Sequence, residues 1–347
     1  MSEFEFIKAA LRQPHEKVPV WIMRQAGRYL PEFRAVREKA SFWDICRSAE
    51  LMADVTLQPI DIFGFDAAIL FSDILLPLEP MGVKVSYDNG GPTIVPPVRT
   101  PGDVKGLKTF VPADEMAYVL AGIKEIKNRL QGRVPLIGFC GSPFTLACYL
   151  IEGTSNLHFH EIKKFICTYP NDALSLLGHL AELTGKYLKA QIDAGVEAVQ
   201  LFDSWGGILS PDYYRKFSLP FIKTVFDICK TNGIPRILYL NNSAPYLELL
   251  AELDCEVIGV DWRTDLRRAK SILDGKALQG NFDPQMLFGP AELVCEETSR
   301  ILEMMADTDG FIFNLGHGIL PQTPVENVRL LVNTVHAFSR AQNGAPQ

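Results

Sequence analysis

The sequence predicts an α/β chain folded as a single (β/α)8 barrel of the TIM type. Three observations predict it. First, eight apolar runs recur along the chain, at residues 18–23, 67–71, 134–139, 198–202, 236–240, 257–260, 277–279 and 310–313. They are apolar throughout rather than alternately, as strands buried on both faces are. Second, segments with helical periodicity lie between them, so the chain alternates strand and helix as a helix-covered parallel sheet does. Third, there are eight such strand–helix units, the number that closes a barrel; small polar residues or glycines recur at nearly every run end, where its βα loops would begin and an enzyme's chemistry would collect. A doubly wound open sheet is the alternative. It would carry G-x-G-x-x-G after an early strand, and none is present.

A chain of 347 residues that is 47% hydrophobic can bury one large core. We expect one barrel domain over residues 1–347 with a short N-terminal extension. The formal net charge of −7 argues against general nucleic-acid binding, but leaves room for a local basic cleft. The opening M-S-E-F-E-F-I-K lacks the basic and apolar regions of a secretory signal. No apolar run approaches the length needed to cross a bilayer. The seven cysteines form no C-x-x-C and lie mostly in apolar surroundings, as reduced thiols of a cytoplasmic protein do. His158 and His160 read as a polar loop, because Cys148 and Cys167 are outside tight ligand spacing.

In chain order, the first run passes abruptly into Arg24-Gln25-Ala26-Gly27-Arg28, with Arg37 soon after. Two arginines four apart, with no acid between them, face one side if the chain coils and suit an external anion. Two surface arginines paired to distant acids is the other reading. The second run leads to Ser72-Asp73-Ile74-Leu75, and residues 87–99 read as an inserted hairpin or excursion of that loop. Helices are expected at 113–130, 171–194, 211–232, 244–253, 290–305 and 324–341. Ser210 and Thr323 are the expected caps of the third and the last, with proline after each.

Asp73 is the sharpest single residue. It stands inside an apolar run, and the residues after it, I-L-L-P-L-E-P-M-G, do not look like a helix start, so its carboxylate needs donors. His317, flanked by glycines in L-G-H-G, has an accessible ring. Tyr149 sits in a helical pattern where a core tyrosine is the ordinary reading. Phe202 is most simply barrel packing, and Ser204 could cap a helix. Asp203, Asp261 and Asp283 could together bind a divalent metal, although acids at barrel strand ends are ordinary. Ser142 is not in G-x-S-x-G, which disfavours a hydrolase elbow.

M-R-Q-A-G-R-Y-L-P-E, F-S-D-I-L, G-S-P-F-T-L-A-C-Y-L-I-E-G, F-D-S-W-G-G, D-W-R-T-D-L, G-N-F-D-P and F-N-L-G-H-G-I occur in that order. Together they resemble the uroporphyrinogen decarboxylase family over nearly the whole chain. The resemblance implies a distorted barrel, a homodimer, and neither metal nor cofactor. It implies removal of four acetate carboxyl groups from uroporphyrinogen to give coproporphyrinogen. By motif, Arg24, Gln25, Ala26, Gly27 and Arg28 would form a loop that holds substrate carboxylates. Asp73 would face the pyrrole N–H groups. Tyr149, Phe202, Ser204 and His317 would contact substrate, with Arg37 a further arginine. Ser204 stands where many bacterial members carry threonine, and either supplies a hydroxyl. Phe282 stands where leucine is expected.

Two rivals remain for the sequence. A cobamide-linked methyltransferase of similar fold would need zinc ligands, and the fifth run ends in Tyr239-Leu240-Asn241 without His or Cys. A non-catalytic porphyrinogen-binding protein would be expected to have lost an arginine or Asp73.

Overall fold

A computed structural model describes residues 3–88, 91–154 and 158–338. Among them, seven strands form one curled parallel sheet: β1 (Ala68–Ile69), β4 (Leu136–Gly141), β5 (Ala198–Asp203), β6 (Arg236–Leu240), β7 (Val257–Val260), β8 (Ala277–Phe282) and β9 (Phe311–Leu315), hydrogen-bonded in that order. Helices alternate with these strands, as in a TIM-type barrel. The two remaining strands, β2 (Lys84–Asp88) and β3 (Gly91–Val95), pair antiparallel as a separate hairpin.

The first apolar run is not a regular strand, which corrects the expected count of eight. It closes the gap between β1 and β9 through a single parallel bridge, Val20 to Phe313. Pro19 has no N–H to give. Side chains take most of the others: Val20 N–H donates to Asp66 Oδ2 at 2.8 Å, Ile22 N–H to Gln25 Oε1 at 3.3 Å and Met23 N–H to Asn314 Oδ1 at 3.1 Å. Only Trp21 N–H stays with the neighbouring strand, at Phe313 O. Satisfying the backbone through side chains frees the segment from the ladder and lets it turn at residue 24.

The barrel interior is packed. Trp21, Ile137, Ala198, Ile237, Val257 and Ile312 fill it, and the helix Glu5–Ala10 covers it from below with Phe6, Ile7, Ala9 and Ala10. A polar thread crosses the interior, with Trp21 Nε1–H donating to Gln279 Oε1 and Gln279 Nε2–H to Gln200 Oε1, each at 3.0 Å. A second, larger apolar layer lies between the sheet and the outer helices.

Several helices differ from expectation. Residues 113–130 form two pieces, Pro112–Glu115 and Ala117–Leu130, and residues 211–232 break at Ser218 into Pro211–Phe217 and Leu219–Cys229. Pro220 causes the second break: it has no N–H to continue the first helix and suits the start of the next. Ser210 caps as expected, accepting from Tyr213 N–H. Thr323 does not cap, because the last helix, Val325–Ala337, begins after Pro324. The helix Ala49–Phe63 was not expected and carries Pro59 in its interior. The excursion begins three residues earlier than expected, at Lys84. Residues 89–90 of the excursion and 339–341 of the last expected helix lie outside the described residues. Among the described residues, no helix is long and apolar enough to cross a membrane.

Candidate active site

The strand ends open onto a cavity of about 880 Å³. Arg24, Ala26, Gly27, Arg28, Arg37, Asp73, Tyr149, Phe202, Ser204 and His317, all predicted from the sequence, line it. Gln25 does not. Its side chain is turned into the protein, where Oε1 accepts from Ile22 N–H and Nε2–H donates to Ala67 O. Gln25 thereby pins the arginine loop to the segment that enters β1.

The loop is shaped by close approach. Arg24 has a left-handed backbone (φ 64°), rare for a residue with a Cβ. Its side chain crosses Gly318 so closely that a Cβ there would lie 2.6 Å from Arg24 Cδ. A Cβ on Gly27 would lie 2.7 Å from Arg24 O. Arg24 and Arg28 are exposed, and among the described residues neither guanidinium has a carboxylate partner within ion-pair distance. Arg37 donates to Ala40 O at 2.8 Å.

Asp73 lines the same cavity, just beyond β1. Its Oδ1 accepts from Leu75 N–H at 2.8 Å. That bond is a local turn, not a cap: only a short 3₁₀ turn comes after it, at Leu76–Leu78. Burial pushes the Asp73 carboxyl above the ordinary carboxylate range, while the Tyr87 hydroxyl, Leu75 N–H and the Arg24 guanidinium pull it down. His317 is pushed the other way, to about 4, by burial and the Arg24 charge. Its Nδ1 accepts from Gly318 N–H at 2.8 Å, so the neutral ring carries its proton on Nε2.

Aromatic rings set the remaining walls. Phe202 packs edge-on against Phe139 at 5.5 Å and Tyr239 at 6.0 Å, so the packing role read from the sequence and a place on the cavity wall coincide. Tyr149 lies on the helix Pro143–Glu152, with Trp205 at 6.2 Å. Ser142 caps that helix at Thr145 N–H and donates to Asp203 Oδ1 at 2.7 Å. Asp203 also accepts from Thr145 Oγ1, Ser218 Oγ and Gly206 N–H. It ties β5 to two helices and to the loop bearing Ser204.

Asp261 is likewise occupied by Ser243, Thr264 and Arg263, and Asp283 caps the turn Pro284–Phe288. Among the described residues, no group of three His, Cys, Asp or Glu side chains converges as metal ligands would. His160 opens the helix His160–Thr168 rather than standing in a loop.

Tyr87, Phe42 and Tyr239 also line the cavity and were not singled out in the sequence. Tyr87 belongs to the excursion, and only its folding back brings the ring into the cavity that Asp73 also lines.

The family described as uroporphyrinogen decarboxylase matches residues 1–338. The chain belongs to this family. The uroporphyrinogen decarboxylase of Syntrophotalea carbinolica is 45% identical over 98% of this chain and 99% of its own. That of Carboxydothermus hydrogenoformans is 48% identical over 96% of each. Among solved structures, a methyltransferase from Methanosarcina mazei superposes with a TM-score of 0.79 at 23% identity, covering 96% of this chain and 98% of that one. That likeness concerns the fold alone. Family membership agrees with the resemblance drawn from the motifs.

Proposed function

We propose that this cavity binds uroporphyrinogen and removes the carboxyl groups of its four acetate arms, yielding coproporphyrinogen and CO2. One observation carries the reading: a half-buried carboxylate, Asp73, shares a single cavity with three arginines at the rim. The substrate bears eight carboxylates. Arg24, Arg28 and Arg37 supply local positive charge in an acidic chain and can grip carboxylates with paired N–H bonds.

In each cycle a proton adds to the pyrrole α-carbon beside the acetate-bearing carbon, and the ring becomes cationic. The C–CO2 bond then breaks and its electron pair neutralises the ring, leaving an exocyclic methylene. A proton adds to that methylene to make the methyl group, and loss of the α-proton restores the pyrrole. The net exchange is one carboxylate and one proton for CO2 and a C–H bond. Asp73, aimed at the ring N–H groups, stabilises the cation as it forms, where a preorganised charge acts most strongly. The substrate supplies its own electron sink, so the reading requires no cofactor. His317, neutral with Nε2–H available, and the hydroxyls of Tyr149 and Ser204 donate to the arms and orient them.

The reading includes one barrel domain over residues 1–347 acting as a cytoplasmic homodimer, with no role in binding nucleic acid. Light scattering on the purified chain tests the dimer. For the activity, the chain is incubated anaerobically with uroporphyrinogen, and the products are oxidised and resolved by carboxyl number. Species with seven, six, five and four carboxyls are expected, and unchanged octacarboxylate would refute the assignment.

A further inference from the structure

Tyr87 combines features that packing alone does not require. It lies on β2, outside the barrel sheet, yet its ring lines the cavity. Its hydroxyl is buried and has no hydrogen-bond partner among the described residues. Buried phenols ordinarily have a partner. It shares the cavity wall with the Asp73 carboxylate, and the two groups shift each other's titration. The ring is clamped there by Phe42 at 4.8 Å and Trp43 at 5.5 Å, and Phe42 in turn packs on Phe71, two residues before Asp73.

We propose that Tyr87 is a positioning residue for Asp73: its hydroxyl donates to the carboxylate, sets the rotamer and leaves the remaining lone pairs for the pyrrole N–H groups. This rests on the function proposed above. An ionised carboxylate offers about four acceptor positions. Leu75 N–H takes one and the phenol takes a second. Two stay open toward the cavity, enough for convergent N–H donors of a tetrapyrrole. The hairpin thus acts as a second support for a side chain whose own loop holds it through one backbone bond.

The titratable and charged groups whose electrostatics couple to Asp73 are Arg24 from the arginine loop, Tyr87 from the hairpin, Cys46 from the helix Phe42–Arg47, Cys140 from β4 and Tyr149 from the helix Pro143–Glu152. Burial raises both thiols and both phenols above their ordinary values, so near neutral pH they keep their protons and Arg24 alone adds charge. Removing the Tyr87 hydroxyl therefore removes a donor that favours the ionised carboxylate.

Tyr87→Phe in the full chain keeps the ring and its packing. The acid limb of kcat/KM with uroporphyrinogen is expected to move up by roughly half to one pH unit, with kcat falling about tenfold and KM changing little. A role in packing alone would lower Tm and leave the limb in place. A second readout needs no substrate. In protein labelled with 13C at aspartate carboxyls, the Asp73 resonance, identified by its loss in Asp73→Asn, should titrate at higher pH in Tyr87→Phe than in the unsubstituted chain. Equal midpoints overturn the proposal whatever the activity. Failure of the unsubstituted chain to turn over uroporphyrinogen would instead defeat the functional reading and leave the titration to decide on Tyr87.

Discussion

Asp73 holds its charge against its surroundings. Burial raises its folded-state pKa, so the folded protein binds that proton more tightly than the unfolded chain does. The contribution to stability is therefore full at acid pH and is lost as pH rises through the folded value. Asp73→Asn should lose most turnover, by about 10²-fold or more, because an amide cannot offset a pyrrole cation. It should also show a Tm at neutral pH equal to or above that of the unsubstituted chain. A large drop in Tm would make Asp73 structural. His317 works in the opposite sense. Its folded pKa is depressed to about 4 from an ordinary 6.5, so its contribution is present above pH 6.5 and is lost as pH falls toward 4. Urea titrations across that range should show a smaller acid loss for His317→Gln, which keeps an N–H donor. Asp73 was legible in the sequence because a lone acid broke an apolar run. The shift at His317 was not, because it depends on burial in the folded barrel and on the charge of Arg24, remote along the chain.

Among the elements, the arginine loop depends on a distant glycine. Gly318 leaves room for the aliphatic stem of Arg24, and a methyl there would press on Cδ, Cγ and Nε. That stem is flexible, so Gly318→Ala should displace the guanidinium without unfolding the barrel. The expected result is KM raised roughly tenfold with Tm changed by only a few degrees, read by steady-state kinetics and thermal melts. The sequence marked Gly318 only as a neighbour of His317. The same limit applies to the helices. Periodicity located Pro170–Ala194 and Ala291–Met304 to within a residue or so, because their apolar faces repeat clearly. It passed over Ala49–Phe63, whose interior Pro59 reads as a breaker. It also joined Pro211–Phe217 to Leu219–Cys229, although Pro220 sits where one helix must end and the next can begin.

Across the whole molecule, a chain of net charge −7 must attract a polyanion through one cationic mouth. Arg24 and Arg28 are solvent-exposed, so their attraction is screened by salt, with a Debye length of about 8 Å at physiological ionic strength. KM for uroporphyrinogen should rise steadily with added salt. Arg28→Ala should raise KM at low salt and flatten that dependence, leaving kcat within about threefold. A collapsed kcat at unchanged KM would give Arg28 a direct chemical role. The barrel supplies the frame for this mouth. Its parallel strands all end on one side, so loops far apart in sequence empty into one cavity.

Strand and helix rhythm, the residue types at the strand ends and the family motifs were determined by the sequence itself, because burial periodicity and turn chemistry are local properties. The structure corrected the first strand, which meets the barrel through one parallel bridge to Phe313 and side-chain bonds to Asp66 and Asn314. It also turned Gln25 inward, laid Arg24 across Gly318 and brought Tyr87 into the cavity that Asp73 lines. Each of these arises from contact between segments remote in sequence. Backbone donors accept whichever acceptor packing brings within reach, and no local pattern records which one that is.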